Sequence, residues 1–136
     1  MAISTAKAVF KCDVKTVWDI VTDLKNYDWR SDLSKIEVVS EKRFTEHTKD
    51  GFVTVFTVTL TEQYRRWEFD MENNNIKGHW SGVFTQNGEL TTIEFTENVT
   101  AKRLFMKPFV KGYIKKQQAL YINDLKKALS SIAENV

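Results

Sequence analysis

The C-terminal stretch from Lys107 to Val136 carries the longest regular alternation of apolar and polar positions in the chain. Val110, Ile114, Gln117, Tyr121, Leu125, Ala128, Ile132 and Val136 recur at intervals of three or four, and Phe109, Tyr113, Leu120 and Leu129 widen the stripe beyond a narrow coiled-coil seam. Lys111, Lys115, Lys116, Lys126, Lys127 and Glu134 fill most of the opposite side. Pro108 suits a first helical turn, where its missing N–H costs nothing, and no other proline follows it. The spacing predicts a helix from about Pro108 to Ala133. A stripe this broad needs an extended apolar partner.

The preceding chain supplies one. Thr5 to Cys12 reads as a short strand, and Asp13 as the N-cap of a helix that turns Val14, Val17, Trp18 and Val21 to one side. Tyr27 to Ser34 predicts a second short helix or an irregular turn. Six strands then follow: Ile36 to Glu41, Phe44 to Lys49, Phe52 to Thr61, Tyr64 to Glu72, Ile76 to Gln86 and Glu89 to Ala101. The pattern predicts an α+β fold in which a curved antiparallel sheet of about seven strands wraps the long C-terminal helix, with two short helices after the first strand. With no linker, repeat or low-complexity tract, residues 1–136 read as one domain.

Turn chemistry extends the reading to side-chain facing. Asp50-Gly51 and Asn87-Gly88 have the composition of two-residue hairpin turns, with Asn73-Asn74 and Glu62-Gln63 as weaker candidates. Paired residues around such turns sum to a constant and share a face of the sheet. The expected pairs include Trp80 with Phe95, Gly78 with Glu97, Trp67 with Trp80 and His47 with Thr54. One face then collects Phe56, Val58, Leu60, Trp67, Phe69, Met71, Trp80, Phe84, Ile93, Phe95 and Val99. A bulge in any strand would reverse its facing beyond that point.

Composition narrows the function more by exclusion than by assertion. Lys and Arg outnumber Asp and Glu by only 20 to 18, so neither nucleic acid nor an anionic membrane is implied as the main partner. The lone Cys12 excludes an intramolecular disulfide and a Cys-rich metal site, and it favours a reducing compartment. The first residues lack the pattern of a secretion signal, and no apolar run approaches about 18 residues. The expectation is a soluble, cytoplasmic protein without integral membrane association. Phosphate loops, paired metal-ligand spacings and nucleophile elbows are missing, so no metal and no cofactor are expected.

The parity argument places three ionisable side chains among the apolar ones: His47, Arg65 and Glu97. An unpaired carboxylate costs several kcal/mol to bury, so Glu97 needs a cation, donors or a proton, with Arg30 or Arg65 as candidate cations. Either Glu97 makes a supporting ion pair or it meets a ligand. His47 sits near a strand end where exposure is easy, and Gln117 interrupts the helix stripe at its middle. Four Trp, four Tyr and nine Phe exceed what a helix on a sheet needs, so the inner face is either a dense aromatic core or a pocket wall.

The order of elements, with Asp13-Val14-Lys15-Thr16-Val17-Trp18-Asp19 followed by Asp23, Tyr27 and Trp29, resembles the START-like SRPBCC superfamily and its polyketide cyclase/dehydrase-like members. The resemblance spans the whole chain and implies the helix-grip fold, with a hydrophobic cavity between the sheet and the last helix. It carries no universal catalytic motif. Two functions follow: a non-catalytic binder or carrier of a small hydrophobic or aromatic molecule, or a cyclase/dehydratase-type enzyme using Glu97 as acid or base with Arg65 or His47 polarising a carbonyl. A protein-interaction module, resting on Leu104, Phe105 and Met106, is the minor alternative. The binder is the favoured reading, with Trp29, Arg30, Phe56, Trp67, Phe69, Trp80, Phe95, Glu97, Tyr113 and Gln117 as ligand contacts. Ligand identity and oligomeric state stay open.

Overall fold

The computed structural model describes residues 1–134, with side-chain surroundings described through residue 131. Strand β1 (Ala2–Phe10) leads into helix α1 (Val14–Thr22), which Asp13 caps by accepting from Thr16 N at 2.8 Å and Thr16 Oγ1 at 2.6 Å. Strands β2 (Leu33–Val38), β3 (Arg43–Thr48), β4 (Val53–Glu62), β5 (Arg66–Glu72), β6 (Ile76–Asn87) and β7 (Leu90–Ala101) follow, then a single 3-10 turn (Leu104–Met106) and helix α2 (Lys107–Glu134). They form a seven-stranded antiparallel sheet in the order β1-β7-β6-β5-β4-β3-β2. The curved sheet grips α2, which packs against β1 and β7, whereas α1 lies against β6 and β7.

The expected second helix after β1 is not formed. The connection from Asp23 to Asp32 is a series of turns, held by Asp23 Oδ1 accepting from Lys25 N and by Arg30 N donating to Tyr27 O. Short Asp and Asn side chains bond the nearby backbone here and compete with helix formation. At its far end Ser31 donates from both N and Oγ to Asp124 Oδ2 on α2, each at 2.8 Å.

Helix α2 buries Val110, Ile114, Leu125 and Leu129 and half-buries Tyr121 and Ala128, as its spacing predicts. Ile132 and Val136, the last members of that stripe, lie outside the described side chains. Two polar residues absent from the predicted stripe are also buried. Gln118 clasps Ser4 of β1, accepting from its Oγ at 2.8 Å and donating to its carbonyl at 2.9 Å, and Asp124 holds Ser31.

Register decides the facing of each strand. The β6–β7 hairpin turns on Gly88-Glu89, with Gly88 at φ +60°, one residue later than the composition predicts; Gly82 pairs with Phe95 and Trp80 with Glu97. The β5–β6 turn is also one residue later, pairing Phe69 with Trp80. Both shifts move each partner by two positions, so the expected inner face survives. The β3–β4 hairpin is different. Thr48 and Phe52 close a three-residue loop in which Gly51 adopts φ +90°, the geometry of a type I turn followed by a bulge glycine. That odd-length loop pairs His47 with Val53 and Glu46 with Thr54, which exchanges the faces of the two side chains.

Candidate functional site

Between the concave face and α2 lies a cavity of about 150 Å³. Its long wall is an aromatic ladder: Phe44 stacks on Phe56 at 4.9 Å, Phe69 on Trp80 at 4.7 Å, Trp80 tilts against Phe95 at 4.8 Å, and Phe95 meets Tyr121 of α2 edge-on at 5.3 Å. Gly82 is needed for this arrangement, since a Cβ there would stand 2.5 Å from the Trp80 ring. The sequence posed a choice between filled core and pocket wall, and the fold contains both. The ladder is tightly packed, and its α2-facing surface lines an opening.

One end of the cavity is charged and internally matched. Arg30, its side chain only 14% exposed, spans Asp32 at 3.3 Å and Glu46 at 3.4 Å, with its guanidinium 4.8 Å from the Tyr121 ring centroid. Burial opposes the charge of Arg30, but Glu46, Tyr121 and Asp32 outweigh it and raise the guanidinium pKa further. Burial likewise pushes the Tyr121 phenol up, well away from ionisation. Trp29, beside Tyr121 at 5.2 Å, keeps a buried Nε1–H without an acceptor among the described residues.

Glu97 stands in the opposite situation. It lies in β7 between Trp80 of β6 and Ser4 of β1, its side chain turned to the cavity, and no hydrogen bond or ion pair holds it among the described residues. The lumen leaves the residue partly accessible while protein walls in its carboxyl. That burial pushes its pKa up to about 7, with the Glu46 carboxylate adding to the rise and Arg30 opposing it. The room expected beside Glu97 is not supplied by Gly78, which instead faces Val99: a Cβ at Gly78 would meet the Val99 side chain at 2.9 Å.

All ten residues expected to contact a ligand, from Trp29 and Arg30 to Tyr113 and Gln117, face this one cavity. Two of the candidate catalytic residues do not. His47 points to the outer side of the sheet, 3.4 Å from Glu37, because of the three-residue loop. Arg65 is exposed in the β4–β5 turn, where its backbone bonds Glu62 and Phe84, and it cannot be the cation for Glu97. Leu60, expected inside, faces out and is 37% exposed, since a bulge between Val58 and Leu60 reverses β4 beyond that point. Sequence reasoning missed Glu46, Asp32 and Phe44. For Glu46 and Phe44 the signal was present: reading Lys49-Asp50-Gly51 as a three-residue loop places both inward.

Tyr113 lines the cavity, while Leu104, Phe105 and Phe109 of the segment before and at the start of α2 are 70% or more exposed. Among the described residues, no group of three or more His, Cys, Asp or Glu side chains is arranged to hold a metal ion. No described helix is long and apolar enough to cross a membrane.

Comparison with known proteins bears first on the fold. Residues 1–130 match the model of a family described as polyketide cyclase / dehydrase and lipid transport. Among solved structures, a START superfamily protein from Mycobacterium smegmatis superposes with a TM-score of 0.87 at 12% identity, covering 96% of this chain and 98% of that one. A conserved protein from Geobacillus kaustophilus gives 0.81 at 13% identity, with 95% of each chain covered. The di-domain ARO/CYC BexL from the BE-7585A biosynthetic pathway gives 0.79 at 10% identity, over 93% of this chain and 46% of that chain. No curated protein matches the sequence.

Proposed function

Because the chain belongs to the polyketide cyclase / dehydrase and lipid transport family, we propose that, acting as one START-like unit, it binds a small apolar or aromatic molecule between the sheet and α2. The observation that carries this reading is the aromatic-walled cavity itself, lined by Trp29, Trp67, Trp80, Phe95 and Tyr113. A volume near 150 Å³ suits one aromatic ring, or about five waters at roughly 30 Å³ each, and is smaller than the usual range for drug-sized ligands. The preferred occupant is therefore a single-ring compound.

The four tryptophans provide an internal test. Trp29, Trp67 and Trp80 line the cavity, whereas Trp18 packs outside it against Phe84 and Tyr64. Titration of indole-labelled protein with benzyl alcohol should shift the first three N–H resonances and leave Trp18 in place. Uniform shifts, or none at millimolar ligand, would defeat the reading.

A second reading, acid–base catalysis of the cyclase or dehydratase type, is favoured by Glu97 alone. A carboxyl with a pKa near 7 can both give and take a proton at neutral pH, as a general acid or base must. With Arg65 and His47 outside the cavity, a carbonyl would be polarised by Arg30 or Tyr121 instead. Under this reading Glu97→Gln abolishes turnover of a polyketone substrate but retains its binding.

A further inference from the structure

The cavity's charges are unbalanced in a way that the protein as a whole is not. Its described lining contains four carboxylates, Asp23, Asp32, Glu46 and Glu97, and one cation, Arg30, in a chain whose formal net charge is +2. Asp23 is engaged by Lys25 N and by Asn26, while Asp32 and Glu46 share Arg30. Among the described residues Glu97 is left facing the lumen without a partner, in a cavity that Trp80 and Phe95 also line. Aromatic walls with an unmatched carboxylate attract an ammonium group: the rings present negative π-faces and the carboxylate supplies the counter-charge.

Resting on the reading that the cavity binds single-ring molecules, we infer that its ligand is a small aromatic amine bound as the ammonium ion and paired with Glu97. An anionic ring compound meets Glu97 and Glu46 with no free cation, because Arg30 is already shared between two carboxylates. A neutral one leaves Glu97 unpaired. The groups facing Glu97 are Arg30 and Asp32 from the α1–β2 connection, Glu46 from β3, and Tyr113 and Tyr121 from α2. Neither phenol ionises near neutrality, since burial raises both. Pairing with an ammonium stabilises the ionised form of Glu97 and releases its proton, so amine binding strengthens as pH rises toward 8.

Three probes of one size separate this inference from the reading beneath it: benzylamine, benzyl alcohol and benzoate, titrated by calorimetry into the full chain. At pH 8 benzylamine should bind at least about tenfold more tightly than benzyl alcohol, and benzoate more weakly than either. The preference should shrink to less than about threefold at pH 5.5, and equally in Glu97→Gln at pH 8. His47→Gln, altered outside the cavity, serves as the control and keeps the full preference. Benzyl alcohol binding as tightly as benzylamine at pH 8, or a preference that survives Glu97→Gln in a variant that melts no lower than the parent, overturns the amine while leaving the single-ring cavity standing. Failure of all three probes overturns both.

Discussion

The two ends of the cavity treat buried charge in opposite ways. At the Arg30 end, one guanidinium meets two carboxylates and an aromatic ring, and the adjoining Ser31 is pinned to Asp124 of α2. Along the β7 wall, Glu97 has no partner among the described residues and a pKa raised toward neutrality. A matched network is expensive to break and inert as chemistry, whereas an unmatched carboxyl destabilises the fold whenever it ionises and is available to a ligand. The contrast separates scaffold from site within a single pocket.

Removing the cation tests the scaffold end and carries the largest expected effect. Arg30→Met leaves Asp32 and Glu46 facing each other without compensation, and the fold should lose about 3–5 kcal/mol, measured by urea unfolding at pH 7. A loss below about 1 kcal/mol would show that solvent already screens the pair.

Glu97→Gln tests the other end and should move stability the opposite way. The folded pKa of Glu97, about 7, lies above the ordinary value of 4.5, so between these values the native state holds more protons than the unfolded one. Its contribution to stability is complete below pH 4.5 and is lost as pH rises through 7. At pH 8 the variant should therefore be more stable than the parent by about 2–4 kcal/mol, with the difference vanishing near pH 4.5. A variant less stable than the parent at pH 8 would mean that Glu97 has an ion-pair partner after all.

The smallest effect sharpens the comparison from outside. His47→Gln removes a side chain on the outer face of β3, and both the melt and benzyl alcohol binding should stay within about 0.5 kcal/mol of the parent. A clear loss of ligand affinity would put His47 back in the cavity and the three-residue loop in doubt.

Much of this was legible in the chain. Helix α2 was readable because a 3.6-residue period is local, and so was the Asp13 cap, which needs only Thr16 three residues on. The inner positions of β5, β6 and β7 followed from turn composition even though each turn is displaced by one residue, because such a shift preserves parity. The same arithmetic failed at His47 and Leu60, where an odd-length loop and a bulge each insert one residue and reverse the side of everything beyond.

What only the tertiary structure decided is which distant polar groups meet. Ser4 with Gln118, Ser31 with Asp124 and Arg30 with Glu46 are separated by 114, 93 and 16 residues, and no periodicity relates them. Arg65 and Arg30 were equivalent as candidates in the sequence. The fold leaves the first in a solvated turn and pins the second beneath α2, where two other carboxylates had already claimed it. Local patterns determine which face of an element is apolar, since that follows from backbone geometry. The partner of a buried charge is settled by the convergence of separate chain segments, and this is why Glu97 could be recognised as exceptional before it could be recognised as alone.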